Sequence, residues 1–372
     1  MSAPSHIAAV GLLTRLPLSA QWGLLLVVSA ALALVLEMAG VPAALLLGPM
    51  ISGILFGVNG GAVRVPRLPY LGAQTIVGCL IARAISYDIV RAFFRDWPLF
   101  LGVVLTVVAA SSALGWLLSR SRGLPGTTAV WGSSPGAATA MMLMAEAYGA
   151  DAQLVAFMQY LRVVFVAVAA SVIARFWIDA SGAAIPAIVW FPPIDWPSFI
   201  ETLGIAVLGG ILGYALRIPA GVLLLPIVAG AALHISGLVR IELPPWLLAI
   251  SYALLGWNIG LGFTRRILRH ASRALPQIVL SIVALIAFCC GLAFVLVKTL
   301  GVDPLTAYLA TSPGGMDSIA IIAASSKVNM SFVMALQTAR FVIVMLVGPR
   351  LARLIADWTR AADAETEKAQ GF

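Results

Sequence analysis

Apolar runs separated by short polar joints recur along almost the whole chain. In the first half they fall at 22–38, 41–58, 69–86, 98–119, 127–148 and 152–177. In the second they fall at 199–216, 219–237, 246–264, 275–298, 303–326 and 329–349. Most are about as long as the 17 to 25 residues a helix needs to cross hydrocarbon. The pattern predicts an all-α, polytopic membrane protein with no extramembrane domain.

The two halves share landmarks. Gly132-Ser133-Ser134-Pro135-Gly136-Ala137-Ala138-Thr139 returns as Thr311-Ser312-Pro313-Gly314-Gly315-Met316-Asp317-Ser318, with Pro135 and Pro313 offset by 178 residues. Gln159 and Arg162 return at the same offset as Gln337 and Arg340, and Gly78 as Gly256. Pro42, Pro49 and Gly53 return as Pro219, Pro226 and Gly230 at an offset of 177. The chain therefore divides into a first repeat (20–180), a second repeat (198–356) and a C-terminal tail (357–372). The joint at 179–198 carries Pro186, Pro192, Pro193 and Pro197. The Pro-containing segments 41–58 and 219–237 are expected to be tilted or broken spans.

Proline and glycine inside an apolar segment break a helix, and lipid tolerates the freed backbone groups only where protein or a water-filled cavity covers them. Each Pro-Gly site thus marks a break inside the protein, after which a new half-helix begins. Its free N–H groups and positive dipole end favour an anion.

A broken segment either crosses the membrane or dips in and returns. Crossing makes the repeats parallel, whereas returning makes them inverted. With Arg83, Arg162 and Arg340 set aside as intramembrane, the inverted arrangement splits the other basic residues 14 to 6 across the bilayer, and the parallel one 12 to 8. The positive-inside rule favours the inverted arrangement with both termini cytoplasmic. Ten residues before Pro135 rise about 15 Å, half the hydrocarbon thickness, so a hairpin tip is expected near the midplane. A pair of broken helices that span and cross remains the other arrangement.

Composition narrows the function classes. Hydrophobic residues make up 61% and charged residues 10%, against about 25% charged in soluble domains, and the mean hydropathy is +1.03. The net charge of +8 sits in short loops, so topology accounts for it better than nucleic acid does. Cys79, Cys289 and Cys290 show no metal-ligand spacing and read as packing residues. No cofactor is indicated. The first 20 residues carry Arg15 as their one basic residue and no cleavage pattern, so an uncleaved first helix is expected. The tail reads as exposed and cytoplasmic.

Candidate chemistry gathers at the breaks. Ser133, Ser134, Thr139, Thr311, Ser312 and Ser318 offer hydroxyls, Pro135, Gly136, Gly314 and Gly315 shape the backbone, and each hydroxyl more often repairs backbone than binds a ligand. Asp317 lies at a depth where an unpaired carboxylate is costly. It carries a coupling proton, a cation or a substrate contact, or else caps the half-helix. Thr139 occupies its place in the first copy. Gln159 and Arg162, and Gln337 and Arg340, each share a helix face. Each Arg contacts an anionic substrate or clamps the carbonyls of its own break. Glu37 and Glu146 lie near segment ends.

The runs Leu45 to Met50, Trp131 to Ala138, Val155 to Arg162 and Ala307 to Gly315 resemble the bacterial AbrB membrane family over residues 20 to 356. That family is labelled a regulator of aidB expression or an ammonia monooxygenase. An oxygenase needs clustered ligands, and the chain's histidines are only His6, His234 and His270. The resemblance strengthens the fold and leaves the solute open.

The expected protein is a secondary transporter of a small polar or anionic solute in the inner membrane of a bacterium. It is not an enzyme, has no nucleic-acid partner, and is plausible as a homodimer. A membrane sensor that binds a metabolite without moving it is the alternative.

Overall fold

The computed structural model describes residue 13 and residues 16–347, apart from 40, 42, 86, 88–90, 92–96, 120–126, 136–140, 142–144, 146–148, 182–189, 218–220, 342, 345 and 346. Gly136, Thr139, Glu146 and the 357–372 tail lie outside the described residues. All described elements are helical. The first half contains α1 (Leu18–Met38), α2 (Ala44–Val58), α3 (Arg67–Ala84), α4 (Trp97–Ser119), α5 (Thr128–Ser133) and α6 (Ala152–Ser181). The second contains α7 (Trp196–Ala215), α8 (Gly221–Ile235), α9 (Pro245–Gly260), α10 (Arg265–Ala271), α11 (Leu275–Leu300), α12 (Pro304–Thr311) and α13 (Met316–Ala324), followed by helical residues 330–341, α14.

Among the described residues, five helices are long and apolar enough to cross a membrane: α1, α4, residues Ala152–Ala174 of α6, α7 and α11. Their outward faces are apolar, as lipid requires, with Leu34, Val207, Leu208 and Leu280 all exposed.

Packing sorts most helices into two groups. In one, α2 lies between α1 and α9, while α3 packs on α7, α8 and α9. In the other, α4, α5, α6, α11 and α12 pack on one another, while α13 packs both on α6 and on α3 of the first group. Lipid tails are as apolar as leucine, so burying apolar area does not drive this assembly; close backbone approach and buried polar bonds do. The first group illustrates both. A Cβ at Gly256 would lie 2.7 Å from Leu46 O, and one at Gly260 would lie 2.3 Å from Met50 O, so α9 rests directly on the α2 backbone. A Cβ at Gly78 would lie 2.8 Å from Leu223 O, which repeats that contact between α3 and α8. Trp257 Nε1 of α9 donates to Ser29 Oγ of α1 at 2.8 Å, and Ser29 and Ser52 of α2 share a 2.5 Å hydroxyl contact.

The Pro-containing segments, expected to be tilted or broken, are unbroken at Pro49 and Pro226 and form the continuous helices α2 and α8. Each proline costs one backbone bond, and the facing glycine covers the site. A Cβ at Gly256 would lie 3.2 Å from Pro49 Cβ, and one at Gly209 would lie 3.0 Å from Pro226 Cγ. Neighbouring helices at that distance hold a proline-bearing helix together in lipid. The short helix α10 has no counterpart in the sequence reading. Its start is capped by Thr264, whose Oγ1 accepts from Ile267 N at 3.3 Å.

Candidate functional site

A residue before proline is pushed to extended backbone. Ser134 (ψ 126°) and Ser312 (ψ 140°) adopt it and end α5 and α12. These half-helices have six and eight residues, or about 9 and 12 Å, well short of the ~30 Å hydrocarbon core.

The chain after each break returns to where it entered. Asp151 N, just before α6, donates to Thr128 Oγ1 at the start of α5 at 3.1 Å. Asn329 N, just before α14, donates to Thr306 Oγ1 at the start of α12 at 3.0 Å. In both segments the chain therefore comes back to the start of its half-helix, where a threonine hydroxyl joins the two ends. Asp151 Oδ1 also caps α6 through Gln153 N and Leu154 N, and Asn329 Oδ1 caps α14 through Phe332 N. Sequence reasoning missed these clasps, although Thr128 and Thr306 lie at the same 178-residue offset as the prolines.

At the tips, freed carbonyls meet two buried guanidiniums. Arg162 and Arg340 are 2% and 4% exposed, and Gln159 and Gln337 are fully buried. Gln159 Nε2 donates to Trp131 O (2.9 Å) and Ser134 O (3.0 Å), and Gln337 Nε2 to Leu309 O (2.6 Å) and Ser312 O (3.2 Å). Arg162 Nη1 donates to Ser133 O (3.2 Å) and Ser134 O (2.9 Å), while Nη2 donates to Gln159 Oε1 (2.6 Å). Arg340 Nη1 donates to Ser312 O, and its Nη2 to Gly314 O (2.9 Å) and Gln337 Oε1 (2.5 Å). Each Gln–Arg pair thus holds the negative carbonyl end of its own half-helix, which a cation stabilises.

Most candidate hydroxyls also bond to carbonyls. Ser133 and Ser134 donate to Val130 O at 3.1 and 2.8 Å, and Ser312 donates to Leu309 O at 3.1 Å. Thr311 Oγ1 lies within 3.2 Å of Ala307 O, Tyr308 O and Cys289 O, the last on α11. Pro135 and Ser318 are buried. Gly315 starts α13 without a side-chain cap, leaving the positive end of that half-helix near the second tip. Asp317 stands in its first turn, and its side chain lies outside the described residues. Gly314 brings the second tip against the first repeat, since a Cβ there would lie 3.0 Å from Val166 Cγ1 of α6. Among the described residues, no three His, Cys, Asp or Glu side chains converge as metal ligands.

The family model described as "Transition state regulatory protein AbrB" matches residues 45–356. The chain belongs to the AbrB family. It is 48% identical over 339 residues to a protein of Escherichia coli (strain K12) named "Putative regulator AbrB", covering 91% of this chain and 97% of that one. It is 24% identical over 297 residues to "Uncharacterized protein YhjN" of Bacillus subtilis (strain 168), covering 76% and 77%. No solved structure matches.

Proposed function

We propose that this AbrB-family protein is a secondary transporter of the inner membrane, carrying a small polar or anionic solute by alternating access at a site between the two hairpin tips. The observation that carries this reading is the pair of buried, arginine-clamped hairpins within one helix group, beside a second group whose α2 and α9 pack backbone to backbone. A break of this kind is maintained at the cost of regular helix, and membrane proteins tolerate one where it lines a path for solute or ion. The N-terminal end of α13 beside the second tip, and two guanidiniums with no carboxylate ion pair among the described residues, favour a negatively charged solute. We further propose inverted repeats, cytoplasmic termini and no enzymatic activity.

Flux tests the reading. Purified protein in liposomes should move candidate anionic metabolites across the membrane, and binding without flux across the panel would overturn it. That outcome would favour a metabolite sensor, the reading that fits the regulator names of the family and its Escherichia coli relative. Topology is read separately: cysteines replacing Arg120 and Arg269 should be protected from an impermeant thiol reagent on intact spheroplasts, while one replacing Arg240 reacts. Equal labelling of Arg120 and Arg240 would rule out the inversion.

A further inference from the structure

We propose that α10 is an interfacial helix whose arginines dock on the headgroups of anionic phospholipid, holding the mouth of the first hairpin at the membrane surface. Arg265 and Arg269 stand four residues apart on α10 and so share one helix face. Arg273 continues the spacing in the turn that follows, where Ser272 keeps helical backbone (φ −56°, ψ −37°). All three are exposed. The other side is apolar, with Ile267 and Leu268 half-buried and Ala271 and Ala274 buried. A basic row opposite an apolar face is the form of a helix that lies along a membrane surface.

Local helix physics opposes this placement of charge. Like charges four residues apart repel, and Arg265, the first residue after the Thr264 cap, puts a cation at the positive end of the helix dipole. The sequence supplies no neighbouring acid, since no Asp or Glu occurs between Glu242 and Asp303. Among the described residues the ion pair made by α10 joins Asp151 to His270, not to an arginine. An anionic surface outside the protein provides the counter-charge that the arrangement needs.

The position fits that surface. With 26 residues, α11 rises about 39 Å, so it exceeds the ~30 Å hydrocarbon core and its ends reach headgroup depth. Residues 272–274 alone separate α10 from it. Leu280 and Val283 are exposed, so this end of α11 borders lipid. A basic cluster directly beside a span attracts anionic lipid. From there the contact passes to the hairpin, because α10 packs on α6 and His270 Nε2 meets Asp151 Oδ2 at 2.8 Å, while Asp151 N closes on Thr128 Oγ1.

The test needs no solute, so this proposal and the transport reading fail independently. Amide exchange across 265–271 should be at least about 10-fold slower in nanodiscs that mix phosphatidylglycerol into phosphatidylcholine than in phosphatidylcholine alone, one arginine near an anionic surface being worth roughly 5-fold. High salt should erase the difference. So should Arg265→Gln, Arg269→Gln and Arg273→Gln combined, whereas Arg240→Gln, exposed in another joint, should keep it. Melting temperature adds a sign that a purely structural role would not give. The triple variant should melt at or above the wild type in phosphatidylcholine, where repulsion is relieved, and below it with phosphatidylglycerol. Equal exchange in the two lipids, slowing that survives the triple substitution, or a variant destabilised equally in both would overturn the proposal. Slowing produced by inorganic phosphate in phosphatidylcholine discs would overturn it in favour of a soluble anion. Protection in phosphatidylcholine that is lost on removing residues 357–372 would overturn it in favour of the chain's own tail.

Discussion

The two hairpins are the same device twice, with different extras. Both end a short helix at Ser-Pro, return through a threonine clasp and give their tip carbonyls to a Gln–Arg pair. Their acids stand at different places. The second hairpin has Asp317 close after its break, where the first has Thr139, and Asp303 capping the start of α12 at its mouth. The first has Asp151 at the end of its return. There Asp151 Oδ2 meets His270 Nε2 of α10 at 2.8 Å, and the matching residue in the second repeat is Asn329. What is duplicated answers a demand both hairpins share, the repair of freed carbonyls in lipid. What differs is free to set polarity, coupling or regulation.

The largest expected effect tests the shared part. Arg162→Ala and Arg340→Ala should each strand buried carbonyls and destabilise the protein by several kcal/mol, at about 1–3 kcal/mol per unsatisfied group. Folded yield and melting temperature in detergent should fall alike for both. A variant that melts like the wild type would show that its clamp is not structural.

Asp317→Asn separates the unshared part of the second hairpin. If Asp317 carries the coupling proton, solute exchange between equal pools persists while accumulation driven by a pH gradient is lost. If it binds a cation, solute binding weakens at every pH, because an amide replaces the charged oxygen that a hard cation prefers. Unchanged transport would reduce Asp317 to a helix cap, a role in which Asn nearly equals Asp.

Smaller effects belong to the mouths. Thr128→Val and Thr306→Val each remove one hydrogen bond acceptor, at a cost of about 1 kcal/mol. Equal losses in denaturant or thermal melts would support equivalent clasps, while a loss confined to one would break the symmetry.

The smallest effect is the Asp151–His270 pair, half-exposed and worth under about 1 kcal/mol. Partial burial pushes the Asp151 carboxyl up. The hydrogen bond from His270, those from Leu154 N and Gln153 N, and the His270 charge outweigh burial and hold the carboxyl below its usual range. A depressed carboxyl stabilises the fold above its unfolded value, and that contribution is lost as pH falls through the folded one. Melting temperature should therefore drop more steeply below the usual carboxylate range in the wild type than in Asp151→Asn. Parallel pH profiles would remove the pair from the account.

Much of the fold was legible along the chain because lipid makes local demands. A span must be apolar for its whole length, and a break must carry proline or glycine with polar groups nearby, so α1, α4, α7, α11 and both Ser-Pro breaks fall where the apolar pattern put them. Gln159 with Arg162, and Gln337 with Arg340, were legible as pairs by helical spacing. Their partners were not, since nothing local distinguishes an arginine that faces a solute from one that donates to Ser134 O or Gly314 O.

Tertiary structure alone decided several other points. The sequence around Pro49 allows either a tilted or a broken span, and α2 runs through it unbroken, packed against Gly256 of the other repeat. The short helix α10 is too brief and too charged to show as an apolar run. The returning course of each hairpin rests on single bonds between residues 23 positions apart. The physical reason is common to all of these. Solvation by lipid acts on each residue where it stands and leaves a composition signal, whereas the choice of a partner through space depends on which backbones can approach, and is written in two places at once.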